Sequence, residues 1–143
     1  MAGKVTYKPL VYPPKILLAW GEAISGNREI RDWLGKNGYP ELYTFVFALY
    51  LKEDARNWLM KNNYPHLLAM IQGVERNKKA LAWLQKNEFE VLYHMALAGD
   101  GEEASLKWLV KKHRDFAHIA MKIKKVKDGI QDDHDDPHKM SRS

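Results

Sequence analysis

The sequence predicts an all-α fold, a right-handed α-α superhelix (solenoid) of about nine short helices built from 25-residue helix-turn-helix repeats. Three observations carry this. Trp33, Trp58, Trp83 and Trp108 stand 25 residues apart, each followed by leucine. Lys36, Lys61, Lys86 and Lys111 keep the same register, as do Asn37, Asn62 and Asn87, then Tyr39, Tyr64 and Phe89, then Leu42, Leu67 and Leu92. A unit this small cannot bury its apolar face alone, so neighbouring copies must stack into one continuous core.

The chain opens with an arm over residues 1–11, followed by a half-repeat over 12–26, in which Leu17 is in register with Leu42 and Trp20 with Phe45. Four full repeats then start near residues 27, 52, 77 and 102. In each, a first helix is read from apolar residues at helical spacing, such as Ile30, Trp33 and Leu34, or Ala55, Trp58 and Leu59. Asn27, Asn77 and Asp100 are placed to cap these helices by accepting their free amides. The Lys-Asn-Gly and Lys-Asn-Asn runs end them, supplying a cation for the C-terminal dipole and residues that accept left-handed geometry. Pro40 and Pro65 then start a second helix, where a missing N–H costs nothing. That second helix is apolar on most sides, as in Leu42 to Leu51, and predicts the inner layer. The last helix, rich in Lys122, Lys124, Lys125 and Lys127, reads as a polar terminal cap, and residues 130–143 as a flexible acidic tail. Each Trp-Leu pair reads as an internal peg joining the two helices.

Apolar residues at 45% and charged residues at 29% are the balance of a globular chain rather than a disordered one. The absence of cysteine excludes disulfides, thiolate metal sites and a cysteine nucleophile. No run of about 18 apolar residues occurs, so no membrane partner is expected. The start lacks a secretory pattern, and Ala2 stands where myristoylation needs glycine, so the expected location is cytoplasmic.

The segment AGDGEEASLKWLVKKH (98–113) resembles the helical part of divergent ankyrin-like repeats, in which a small-residue turn precedes a Leu-x-Trp-Leu helix. The resemblance implies an α-α superhelix; the Thr-Pro-Leu-His signature is missing, and a period of 25 leaves no room for a hairpin beside two helices.

No phosphate-cradling glycine loop, nucleophile elbow, paired-carboxylate site or HExxH is present, so neither catalytic residues nor a cofactor or metal is expected. The expected function is a non-catalytic scaffold for a protein or peptide partner. Positions that vary between copies beside the Trp-Leu pairs are the binding candidates: Asp32, Asn57, Ala82 and Lys107, and Gly35, Met60, Gln85 and Val110. Residues 104–127 hold 8 Lys/Arg against 1 Asp/Glu. Lys111, Lys112, Arg114, Lys122, Lys124, Lys125 and Lys127 are therefore candidates for an anionic partner, and nucleic-acid binding is the rival reading. A repeat enzyme with a site that follows no motif is a second rival. The Asp132 to His138 run reads as a solvated tail rather than a metal site. Self-association through the terminal helices is expected if the apolar half-repeat is open, with Tyr7, Leu10, Val11 and Tyr12 as its alternative cover.

Overall fold

A computed structural model describes residues 7–135, with side chains described through residue 130. Among the described residues there are nine helices and no strand: α1 (Pro14–Ile24), α2 (Arg28–Lys36), α3 (Pro40–Leu49), α4 (Glu53–Lys61), α5 (Pro65–Val74), α6 (Lys78–Lys86), α7 (Glu90–Gly99), α8 (Glu103–Lys112) and α9 (Arg114–Asp135). Proline at the first turn of α1, α3 and α5 sets the backbone angle without losing a hydrogen bond. Asn27 and Asn77 cap α2 and α6, accepting from the Ile30 and Ala80 amides at 3.0 Å.

The turns repeat as strictly as the helices. Positive φ recurs at Gly26, Leu51, Arg76 and Gly101 on entering the even-numbered helices, and at Gly38, Asn63 and Glu88 on leaving α2, α4 and α6. The α8 to α9 junction departs from this, with His113 at φ −145° leading directly into the last helix. Leu51, Arg76 and Glu88 carry a Cβ in the left-handed region, which costs about 1–2 kcal/mol each against the right-handed one.

The helices form two layers. The odd-numbered helices are the inner one: α5 alone buries Leu67, Leu68, Ala69, Met70, Ile71 and Val74. The even-numbered helices bury little beyond Leu34, Leu59, Leu84 and Leu109, each fully enclosed, and each lies in the seam between the odd helices before and after it. Consecutive odd helices pack on one another, and α9 packs on α1 as well as on α7. The inner layer therefore closes, first helix against last.

That closure corrects three expectations. The last helix is not a polar cap: Ala117, Ile119, Ala120 and Ile123 are buried, with the lysines on its remaining faces. The half-repeat is not an open apolar end, because Gly21 on α1 lies beneath His118 and Lys122 of α9, so the premise for association through free terminal helices is gone. And residues 130–135, expected in the tail, continue α9; residues 1–6 and 136–143 lie outside the described residues. Asp100 also departs from its expected capping role. Glu102 precedes α8 without a side-chain cap, while Asp100 holds Arg76 at 3.0 Å and Lys127.

Among the described glycines the tightest surroundings are at Gly73 on α5, where an added Cβ would stand 2.8 Å from Ala96 Cβ and 2.9 Å from Leu81 Cδ2. Gly73→Ala is expected to destabilise the fold by about 1 kcal/mol, overpacking of about 1–3 kcal/mol exceeding the helix-propensity gain of about 1 kcal/mol. Glu88→Gly, at an exposed left-handed position, is expected to add about 0.5–1 kcal/mol. Urea unfolding of the two variants checks both signs.

Candidate interaction surface

Within each Trp-Leu pair the two residues part company. The leucine is wholly enclosed, whereas Trp33 is 45% exposed and Trp58, Trp83 and Trp108 are half-buried. Adjacent residues on a helix point about 100° apart, so the leucine takes the core and the indole lies over the turn. There Trp33 stacks on Tyr39, Trp58 on Tyr64 and Trp83 on Phe89, with interplanar angles of 20°, 8° and 17°. The side-chain amides of Asn37, Asn62 and Asn87 donate to the Trp carbonyls at 2.7, 2.8 and 2.9 Å, closing each helix C-terminus. The repeated Asn and aromatic residues therefore hold the tryptophan in place. Trp20 alone is a core indole, at 0% exposure and edge-on to Phe45.

The tryptophans wall a set of clefts between neighbouring even-numbered helices. The first is lined by Asp32, Gly35, Tyr43, Thr44 and Trp58, the second by Met60, Leu68, Ala69 and Trp83. Tyr43 lies directly on Gly35, where a Cβ would stand 2.9 Å from the ring. Arg31 rests its guanidinium 4.7 Å over the Phe47 ring and pairs with Asp32 at 3.0 Å. In the third repeat His94 occupies the register of Thr44 and Ala69. Its ring stacks on Trp108 at 4.1 Å and its Nδ1 meets Ser105 Oγ at 2.9 Å, which fills the equivalent space. Burial, with Lys112 assisting and Glu90 opposing, holds the His94 imidazolium form down.

Of the sequence candidates, Asp32, Gly35 and Met60 line these clefts. Asn57, Ala82, Gln85, Lys107 and Val110 are exposed on α4, α6 and α8 and line neither. The residues missed are Tyr43, Thr44, Leu68 and Ala69 on the inner helices, and Trp58 and Trp83, for which helical spacing predicts a core position. The size difference between Thr44, Ala69 and His94 at one register is the signal that would have found them.

A second feature is the arm. Residues 7–12 run extended across the turns of successive repeats instead of covering the half-repeat. Tyr12 donates to the buried Glu41 carboxylate at 2.5 Å. The Lys8 amide donates to the Asn63 carbonyl at 2.8 Å, and His66 Nε2 donates to the Lys8 carbonyl at 2.8 Å. Tyr7 packs on His66 and Phe89, while Val11 points out at 84% exposure. Burial first, and then the Glu41 carboxylate, push the Tyr12 hydroxyl far above its ordinary value. Burial lowers His66 to about 4, against the opposing effect of the Lys8 carbonyl.

The basic residues do not make one continuous face. Lys111, Lys112 and Arg114 are exposed at the α8–α9 junction, Lys112 with its Nζ 5.1 Å over the Trp108 ring. Lys122, half-buried, and Lys125, exposed, lie two to three turns along α9 from Arg114, about 12 and about 16 Å away at 1.5 Å per residue. Lys124 pairs with Asp128 at 2.5 Å, and Lys127 joins Arg76 on Asp100. Burial works against the Asp100 carboxylate, but Lys127 and Arg76 outweigh it and hold its pKa below the ordinary value. Among the described residues no group of three or more metal-ligating side chains converges, and the Asp132 to His138 run falls where side chains are not described.

Fold and surface together define an all-α helical-repeat protein with recurring clefts along its outer layer. No family model, no curated protein and no solved structure matches the chain.

The burial of His66 generates a pH dependence. Unfolded histidine takes up a proton near pH 6.5, whereas buried His66, among Tyr7, Tyr64, Phe89 and the Lys8 carbonyl, resists it until about pH 4. The unfolded state therefore binds more protons in that window, and stability falls as pH drops through it. His66→Gln is expected to lower the slope of unfolding free energy by up to about 1.4 kcal/mol per pH unit between pH 6.5 and 4. Denaturant unfolding across that range measures it.

Proposed function

We propose that this protein is a non-catalytic interaction module that binds a segment of a partner protein along the outer clefts, with apolar side chains of the partner seated one repeat apart. The observation that carries this is the recurrence of the Tyr43/Thr44/Trp58 cleft as Leu68/Ala69/Trp83, in the same register and open in both. Two matched concave sites with an aromatic wall, on rigid helices, suit anchor side chains. Met60 at 53% exposure and Trp33 at 45% add apolar surface on the same outer layer, and Lys36, Lys61 and Lys86 flank it as exposed cations. Such apolar surface rimmed by charge is the pattern of a recognition face. No helix among the described residues is long and apolar enough to cross a membrane, and the reading of a cytoplasmic scaffold rests on composition and the absence of cysteine.

The third repeat supplies the test, because it shows what plugs a cleft. Thr44→His with Ala69→His is expected to weaken capture of bound proteins from the source cell by tenfold or more, with Lys122→Glu and Lys125→Glu as a control that leaves it unchanged. Quantitative pull-down with the intact chain measures this. Loss of capture with the lysine variants alone, together with steep weakening as salt rises, would transfer the function to nucleic-acid binding.

A further inference from the structure

One register position compares the five inner helices near their N-terminal ends: Ile16 in α1, Glu41 in α3, His66 in α5, Val91 in α7 and Phe116 in α9. It is apolar in three and polar in two. The two polar residues meet the arm, and both are buried, Glu41 at 6% exposure and His66 at 1%. Each directs its polar group at the arm, Glu41 to the Tyr12 hydroxyl and His66 to the Lys8 carbonyl. The arm also meets the apolar residues of this register, Tyr7 and Leu10 sharing a cavity with Val91 and Phe116, but a segment serving only to complete the core would have no use for the buried Glu41 and His66. A buried carboxylate and imidazole are costly without partners and are readily hydrated when uncovered, so this surface suits a cover that comes and goes.

The contacts are those by which an extended peptide is bound. The Lys8 amide and carbonyl are held by the Asn63 carbonyl and His66 Nε2, two bonds indifferent to the peptide's side chains. Two further contacts read its sequence, Tyr12 through Glu41 and Tyr7 through the His66 and Phe89 rings. The arm is open to solvent at Tyr7 and Val11, 47% and 84% exposed, while Leu10 and Tyr12 pack half-buried on the core, and it joins α1 through Pro13 in extended geometry, ψ 155°. Paired prolines make a stiff hinge rather than a helical continuation.

We propose that Glu41, Asn63, His66 and Phe89 form a receptor for an extended peptide with tyrosines five residues apart, occupied by the chain's own arm in the closed form and by the arm of a second copy in a reciprocally exchanged dimer. A second copy carries the matched Tyr7, Lys8 and Tyr12 set. Exchange replaces every contact by its twin, so the balance rests on the hinge and on concentration. The receptor residues are distinct from those of the outer clefts.

Two measurements on the full chain test this. The chain has no cysteine, so Tyr12→Cys in one copy and Glu41→Cys in another can be joined by a short bismaleimide. A mixed covalent dimer whose yield rises with concentration is expected, and the doubly substituted chain, which links within itself, calibrates reach. Separately, a synthetic peptide of residues 7–14 is titrated into the Tyr12→Ala chain, whose own arm is weakened. It is expected to bind at least tenfold more tightly than to the unaltered chain, shifting the Asn63 and His66 resonances, and to lose several-fold affinity when its second tyrosine is replaced by phenylalanine. Internal linking without a mixed dimer at millimolar concentration overturns the proposal, as does a peptide that fails to bind the Tyr12→Ala chain. Equal binding of a peptide keeping only the tyrosine spacing, with no mixed dimer, overturns the second-copy assignment in favour of a foreign ligand. Plugging the outer clefts with Thr44→His and Ala69→His is expected to leave all of these readouts in place.

Discussion

Each outer helix encloses only one or two side chains, and no helix of nine or ten residues with so small a buried face is stable by itself. The outer layer therefore depends on the inner one, where nearly every apolar side chain of α3, α5 and α7 meets another helix. The inner layer in turn depends on α9, which packs on both α1 and α7. Ile119 and Ile123 on α9, both at 0% exposure, complete that circuit. The position of each outer cleft, and of each turn the arm crosses, follows from it.

Local features of the repeat were legible because they follow from chemistry within a few residues. Pro40 and Pro65 start α3 and α5 where a missing amide is harmless, Asn27 and Asn77 cap α2 and α6, and the Asn of each Lys-Asn pair closes the preceding helix on the Trp carbonyl. What periodicity could not reveal is which of two adjacent apolar residues faces the core. Leu34 and Trp33 carry equally strong apolar signals, but only one can point inward, and the aromatic residue beyond the turn takes the other. Asp100 shows the same limit: a capping position by sequence, it instead answers Arg76 and Lys127 from two other segments, and a charge pair across 27 residues leaves no local trace. The closure of α9 on α1 was hidden for that reason too, since the lysines that suggested a polar cap share the helix with the buried Ala117, Ile119, Ala120 and Ile123.

The outer clefts exist because small residues stand where a larger one would fill them. Thr44 and Ala69 leave open what His94 closes by stacking on Trp108 and bonding to Ser105, and Gly35 lets Tyr43 settle onto α2. The candidate residues nearest the Trp-Leu pairs form the rim of these spaces, and the inner helices supply the floor. A site built from both layers could be read only partly from a comparison of copies, because the floor residues look like ordinary core.

The meeting of α1 and α9 also sets the copy number. Most stacked-repeat arrays have free ends and lengthen or shorten by whole units while each interface is retained. Here α1 and α9 share a packed face, so adding or deleting a 25-residue unit is expected to displace one from the other. A change in the number of units must therefore rebuild the α1–α9 interface, whereas substitution within the existing units leaves it intact.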